Sequence, residues 1–162
     1  MSKALEFSPS LLDRLTDNDP GKVKESAAAS IISANKMRDI LKRDIAWILA
    51  TIRMEEINPV DGCQEVRRSV LNYGIKDLSG VPEQNLDPIE VQNSIRQALW
   101  DFEPRLEPTS IDVELIPHVE GDIRGVAKLK IAGRWADNLY RDPIFLEAKI
   151  NFETGSVDLV DE

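Results

Sequence analysis

Ile144-Phe145-Leu146-Glu147-Ala148-Lys149-Ile150-Asn151-Phe152-Glu153-Thr154-Gly155-Ser156-Val157-Asp158-Leu159-Val160 spells a strand, a turn and a strand in one stretch. Ile144, Leu146, Ala148 and Ile150 alternate with polar neighbours, the period of a strand with one face buried. Glu153-Thr154-Gly155-Ser156 supplies the hairpin turn, and Val157 to Val160 the returning strand. The same alternation occurs upstream in Ile111, Val113 and Leu115, and again in Ala127, Leu129 and Ile131. These segments predict an antiparallel sheet of about four strands.

The period changes toward the N-terminus. Met37, Leu41, Ile45, Ile48 and Ile52 recur every three or four residues, predicting a helix from about Asn35 to Glu56, with Trp47 and Leu49 widening its apolar face. Asp87-Pro88-Ile89-Glu90 carries an N-cap, a first-turn proline and a capping-box glutamate, opening a helix that should reach Phe102 before Pro104 stops it. Ser8-Pro9-Ser10 caps a short helix to Leu15 that Asp17-Asn18-Asp19-Pro20-Gly21 ends, and Lys22 to Ser33 reads as a variable connection. The fold class is therefore α+β, with helices in the N-terminal two-thirds packed on a C-terminal antiparallel sheet. Residues 1–34 read as an N-terminal arm and residues 35–162 as a single α+β domain.

The chain has 162 residues, 42% hydrophobic and 30% charged, enough for one packed core. Its formal charge of -9 opposes general binding to nucleic acid or to anionic membrane surfaces. No signal peptide or membrane span is legible, so a cytoplasmic location is expected. Cys63 is the only cysteine and His118 the only histidine, so neither finds the partners of a thiolate zinc cluster or a nucleophilic relay. The glycines form no phosphate loop. With 29 acids, chance carboxylate pairs carry no signal for glycosidic hydrolysis, and only 6% of the chain is aromatic. No enzyme, metal or cofactor is expected.

Two polar segments exceed what the patterning requires. Phe102-Glu103-Pro104-Arg105-Leu106 sets opposite charges on either side of a rigid corner, where Arg105 either closes the helix end or recognises a carboxylate. Asn72-Tyr73-Gly74 suits a turn needing positive φ, and Asp77 and Ser79 can satisfy amides in the loop running to Gly80.

Taken in order, Phe7-Ser8-Pro9-Ser10-Leu11-Leu12-Asp13-Arg14-Leu15, Arg43-Asp44 to Trp47-Ile48-Leu49, Ser69-Val70-Leu71-Asn72-Tyr73-Gly74, Asp77-Leu78-Ser79-Gly80 and Phe102-Glu103-Pro104-Arg105-Leu106 resemble the TssE family. These are type VI secretion baseplate subunits of the lysozyme-like group that includes a tailed-phage baseplate wedge protein. Lys76 departs from the family's usual proline, and Ala46 and Ile52 from its charged residues. The resemblance implies a non-enzymatic baseplate subunit of a contractile injection machine, at the cytosolic face of the inner membrane. Implied partners are the TssF, TssG and TssK wedge subunits and the TssB/TssC sheath. It also implies wedge binding by Glu103, Pro104 and Arg105, and Glu103 and Arg105 are expected to serve recognition more than folding.

The short strand Val157-Asp158-Leu159-Val160 is the expected sheath-contact edge, with outward amides at Asp158 and Val160 and the strand Ile111 to Ile116 as the alternative edge. An anti-adaptor-like binding module and a muralytic hydrolase are the competing classes.

Overall fold

Of the chain, the computed structural model describes residues 10–16, 21, 32–58, 64–80, 85, 87–116, 125–137 and 142–160. Cys63, His118, Asp161, Glu162 and the segments Phe7-Ser8-Pro9 and Asp17-Asn18-Asp19-Pro20 lie outside these, as does nearly all of the connection from Lys22 to Ser33. Internal packing divides the chain into two units, Met1–Arg43 and Asp44–Glu162.

The first unit holds helix α1, Leu11–Leu15, and the opening turns of helix α2, Ala34–Leu49. Ser10 caps α1, its hydroxyl accepting the Asp13 amide at 3.4 Å. Arg43 donates from both terminal nitrogens to the Asp13 carboxylate, at 2.6 and 3.4 Å.

The second unit begins within α2, whose Ile45, Ile48 and Leu49 are fully buried. The helix stops at Leu49, seven residues short of the expected end. The Thr51 hydroxyl donates to the Trp47 carbonyl at 2.7 Å. Beyond it the backbone turns to pair with a later segment: the Ile75 amide donates to the Thr51 carbonyl at 2.8 Å, and the Arg53 amide to the Ile75 carbonyl at 2.9 Å. These bonds form a parallel bridge between Ile52 and Ile75 and replace the helical ladder. Ile52 fits the 3.6-residue period but is 46% exposed, and Trp47 is 48% exposed, so neither widens the buried face. Met54–Glu56 and Val70–Asn72 form 3-10 turns, and Gln64–Arg67 the short helix α3.

Helix α4, Pro88–Phe102, matches its expected bounds. Asp87 Oδ1 accepts the Ile89 amide at 2.9 Å and Pro88 fills the first turn, while Glu90 pairs with Lys76 Nζ. Val91, Ile95, Ala98 and Leu99 form its buried stripe, and α4 packs against the first strand of the sheet. Asp87→Ala is expected to destabilise the domain by about 1 kcal/mol, lowering Tm by about 2–4 °C in a thermal melt.

The sheet is an antiparallel meander of β1 Asp112–Ile116, β2 Val126–Gly133, β3 Ile144–Asn151 and β4 Val157–Val160, in that spatial order. The chain is thus α+β as expected. Val113, Leu115, Ala127, Leu129, Ile131, Leu146, Ala148 and Ile150 fill the buried face. On the other face Glu114, Lys130 and Glu147 stand opposite one another across three strands, with Lys130 Nζ 3.7 Å from Glu147.

The β3–β4 turn revises the reading of the edge. The Asn151 amide donates to the Ser156 carbonyl at 2.9 Å, and Gly155, at φ +71°, donates back to the Asn151 carbonyl at 2.8 Å. Hydrogen-bonded and open pairs alternate along an antiparallel ladder. With Asn151 and Ser156 bonded, the bonded pairs that follow are Lys149 with Asp158 and Glu147 with Val160. The amides of Asp158 and Val160 therefore face β3, and those of Val157 and Leu159 point outward, the reverse of the expectation.

Candidate functional site

Helix α4 ends on Glu103, whose amide still reaches the Leu99 carbonyl at 2.9 Å before the backbone leaves helical geometry at φ -119°, ψ 78°. Pro104 cannot continue the ladder, and the Leu106 amide closes the corner on the Glu103 carbonyl at 3.1 Å. Two further backbone bonds fasten the corner to the exit of β2. The Ala136 amide donates to the Arg105 carbonyl at 2.7 Å and the Glu107 amide to the Arg134 carbonyl at 2.8 Å, with Leu106 and Trp135 forming an antiparallel bridge. Leu106 is 1% exposed.

This frame brings Glu103 and Arg105 to the same side of Pro104. Glu103 Oε1 accepts from Arg105 Nε at 2.7 Å and from the Arg105 amide at 3.2 Å, and Oε2 accepts from Nη2 at 2.6 Å. The same Nη2 reaches Asp44 Oδ2 of α2 at 2.7 Å. One guanidinium thus ties two carboxylates. Burial works against the Arg105 cation, yet Glu103 and then Asp44 hold its pKa above the ordinary arginine value. The Tyr73 ring lies 5.2 Å from the Phe102 ring, and burial, then Asp44 and Glu103, push its hydroxyl pKa up.

The three corner residues differ in access. Glu103 is 2% exposed, the Arg105 side chain is 25% exposed, and Pro104 is exposed. A nearly sealed carboxylate whose oxygens are taken by its own arginine positions that arginine. Glu103 therefore offers a partner little surface of its own. Pro104 and the outer edge of Arg105 are what a partner can touch.

The loop residues are held by bonds to other segments. Asn72, 4% exposed, accepts the Glu55 amide at 2.9 Å and donates to the Arg67 carbonyl at 3.1 Å. Gly74, at φ +116°, presses against Thr51. Asp77 accepts the Ser79 amide and hydroxyl at 2.8 and 2.6 Å, and the hydroxyl first, then the amide, holds its carboxyl below the usual range. Gly80, at φ +70°, donates to the Phe152 carbonyl at 3.0 Å. Lys76, where proline was expected, uses the amide a proline lacks to bond Ser94 Oγ at 3.3 Å.

The sequence by itself assigns Asp44 no role. Its only signal was its place next to Arg43 in α2, 61 residues from Arg105. On β4, Val157 is buried, Leu159 half-buried, and Asp158 and Val160 exposed. Among the described residues no strand pairs with its outer side. Among them, too, no group of three or more histidine, cysteine or acidic side chains is placed to hold a metal ion, and no helix is long and apolar enough to cross a membrane.

A sequence model of the family described as baseplate wedge protein gp25 matches residues 35–138, more than half of the chain. Neither among curated proteins nor among solved structures does any individual protein match.

Proposed function

Because the chain belongs to the baseplate wedge protein gp25 family, we propose that it is a TssE-type structural subunit of a type VI secretion baseplate, joining the wedge and helping to start the sheath. That family, which includes TssE, is structural rather than enzymatic. The match over residues 35–138 is the observation that carries the reading, since it takes in α2, the ion cluster and α4. Residues 35–162 form the baseplate domain in this reading, with residues 1–34 as an arm. The wedge partners are TssF, TssG and TssK, met at Pro104 and the exposed side of Arg105. The assembly works in the cytoplasm, at the inner-membrane face.

The sheath contact falls outside the matched segment and rests on the sheet itself. An edge strand offers amides and carbonyls to any strand of matching register, and Asp158 discourages pairing with a second copy. TssB/TssC subunits then extend the sheet at Val157, Asp158, Leu159 and Val160, using the outward amides of Val157 and Leu159.

Leu159→Pro removes one of those amides and leaves the β3 bonds of Asp158 and Val160 in place. The variant is expected to fold, to co-purify with the wedge subunits and to nucleate no sheath in cells. Asp158→Pro, which removes an inward bond, should loosen the hairpin instead. Normal sheath assembly with Leu159→Pro refutes contact at this edge. Failure of the unaltered chain to co-purify with any wedge subunit refutes the baseplate role.

A further inference from the structure

The bonds of Arg105 leave one end of its fork unused. Nε donates to Glu103 Oε1 at 2.7 Å, and the two hydrogens of Nη2 go to Glu103 Oε2 at 2.6 Å and Asp44 Oδ2 at 2.7 Å. Nη1 meets no acceptor among the described residues, while the side chain stays 25% exposed. The two N–H groups of Nη1 are therefore what the fork has left to give a partner.

The bonds already made decide what that partner offers. The guanidinium charge is met by two carboxylates, one of them, on Glu103, 2% exposed. A third carboxylate on Nη1 would stand close to both, and like charges in a part-buried site repel with little screening. A neutral acceptor meets no such opposition. Backbone carbonyls at the end of a helix have the right character: those of the last turn lack intrahelical partners, point the same way and carry only partial negative charge. Arginine bonds such carbonyls readily.

Aromatic surface adjoins the fork on both elements that it joins. Trp100 lies one turn before Pro104 and, at 100° per residue, on the side of α4 away from the stripe of Val91, Ile95, Ala98 and Leu99. It is 51% exposed. Trp47, one turn beyond Asp44 in α2, is 48% exposed. Arginine and tryptophan are the residues in which the energetic centres of interfaces are enriched.

We propose that the corner seats the C-terminal end of a helix of the wedge partner. The last carbonyls of that helix accept from Arg105 Nη1, and apolar side chains of its final turn cover Trp100 and Pro104. Glu103 and Asp44 act through Arg105, fixing the direction in which Nη1 points. The inference rests on the baseplate reading for the identity of the partner and adds the chemical group that the corner reads, a main-chain carbonyl instead of an acidic side chain.

The test images the full chain with its co-purified TssF, TssG and TssK subunits by cryo-electron microscopy and measures binding of the same subunits by Trp100→Ala. The map is expected to place main-chain carbonyls of a helix end within hydrogen-bond distance of Arg105 Nη1, with Trp100 covered. Trp100→Ala should weaken wedge binding about tenfold or more. Its melting temperature should not change, because Trp100 lies outside the buried stripe. An aspartate or glutamate side chain on Nη1, an uncovered Trp100, or full-strength wedge binding by Trp100→Ala overturns the proposal. Each of these leaves the baseplate reading standing, since the wedge is still bound. Absence of wedge subunits from the purified unaltered chain overturns that reading, and this inference with it.

Discussion

Gly74→Ala is expected to destabilise the domain by about 3–5 kcal/mol, combining backbone strain of about 1–3 kcal/mol with the loss of backbone hydrogen bonds worth about 1 kcal/mol each. Gly74 holds φ +116°, and a Cβ there lies 2.2 Å from the Thr51 carbonyl oxygen and 2.7 Å from its carbon. Both atoms are backbone, so no side chain can swing away. That same oxygen accepts the Ile75 amide, and the Arg53 amide returns to Ile75. Relieving the clash therefore opens the Ile52–Ile75 bridge and the 3-10 turn that follows it. A thermal melt should show Tm lower by about 6–20 °C, at about 2–4 °C for each kcal/mol. A fall of under about 2 °C shows that the bridge carries little stability.

The second large effect is expected at Glu103. Removing one partner of a buried pair leaves the other charge without its counter-ion, at a cost of about 3–5 kcal/mol when both are sealed. Because Arg105 retains Asp44 and partial access to water, Glu103→Ala should fall at the lower end, about 3 kcal/mol. Arg105→Ala is expected to do comparable damage by stranding a carboxylate that is 2% exposed, so it confounds folding with recognition. Arg105→Lys separates them: it keeps the cation beside Glu103 and Asp44 but removes the planar fork. Urea unfolding should leave Arg105→Lys close to the unaltered chain and shift Glu103→Ala to a clearly lower midpoint, while Arg105→Lys loses wedge subunits in co-purification. A Glu103→Ala midpoint equal to that of the unaltered chain shows that the corner serves recognition alone. Full retention of the wedge by Arg105→Lys shows that the fork is not what the partner reads.

What the amino-acid order determined by itself was everything that depends on neighbours in the chain. The four strands were legible because alternation of burial is a property of each strand alone, as in Ile144 to Ile150. Helix α4 was legible because its N-cap, first-turn proline and terminating proline lie within two residues of its own span. Gly74 was legible as a turn residue because positive φ is a local demand that glycine meets without strain.

Tertiary structure decided what hangs on distant partners. The end of α2 was set by Ile75, which offers backbone bonds 23 residues beyond Ile52 and outcompetes the periodic pattern there. The burial of Glu103 and its indirect link to Asp44 through Arg105 arise because the corner is pinned to residues 134–136 and faces α2. No local pattern encodes that desolvation. Which amides of β4 point outward followed from a single bond, Asn151 to Ser156, because side-chain alternation gives the faces of a strand and leaves the parity of its ladder open.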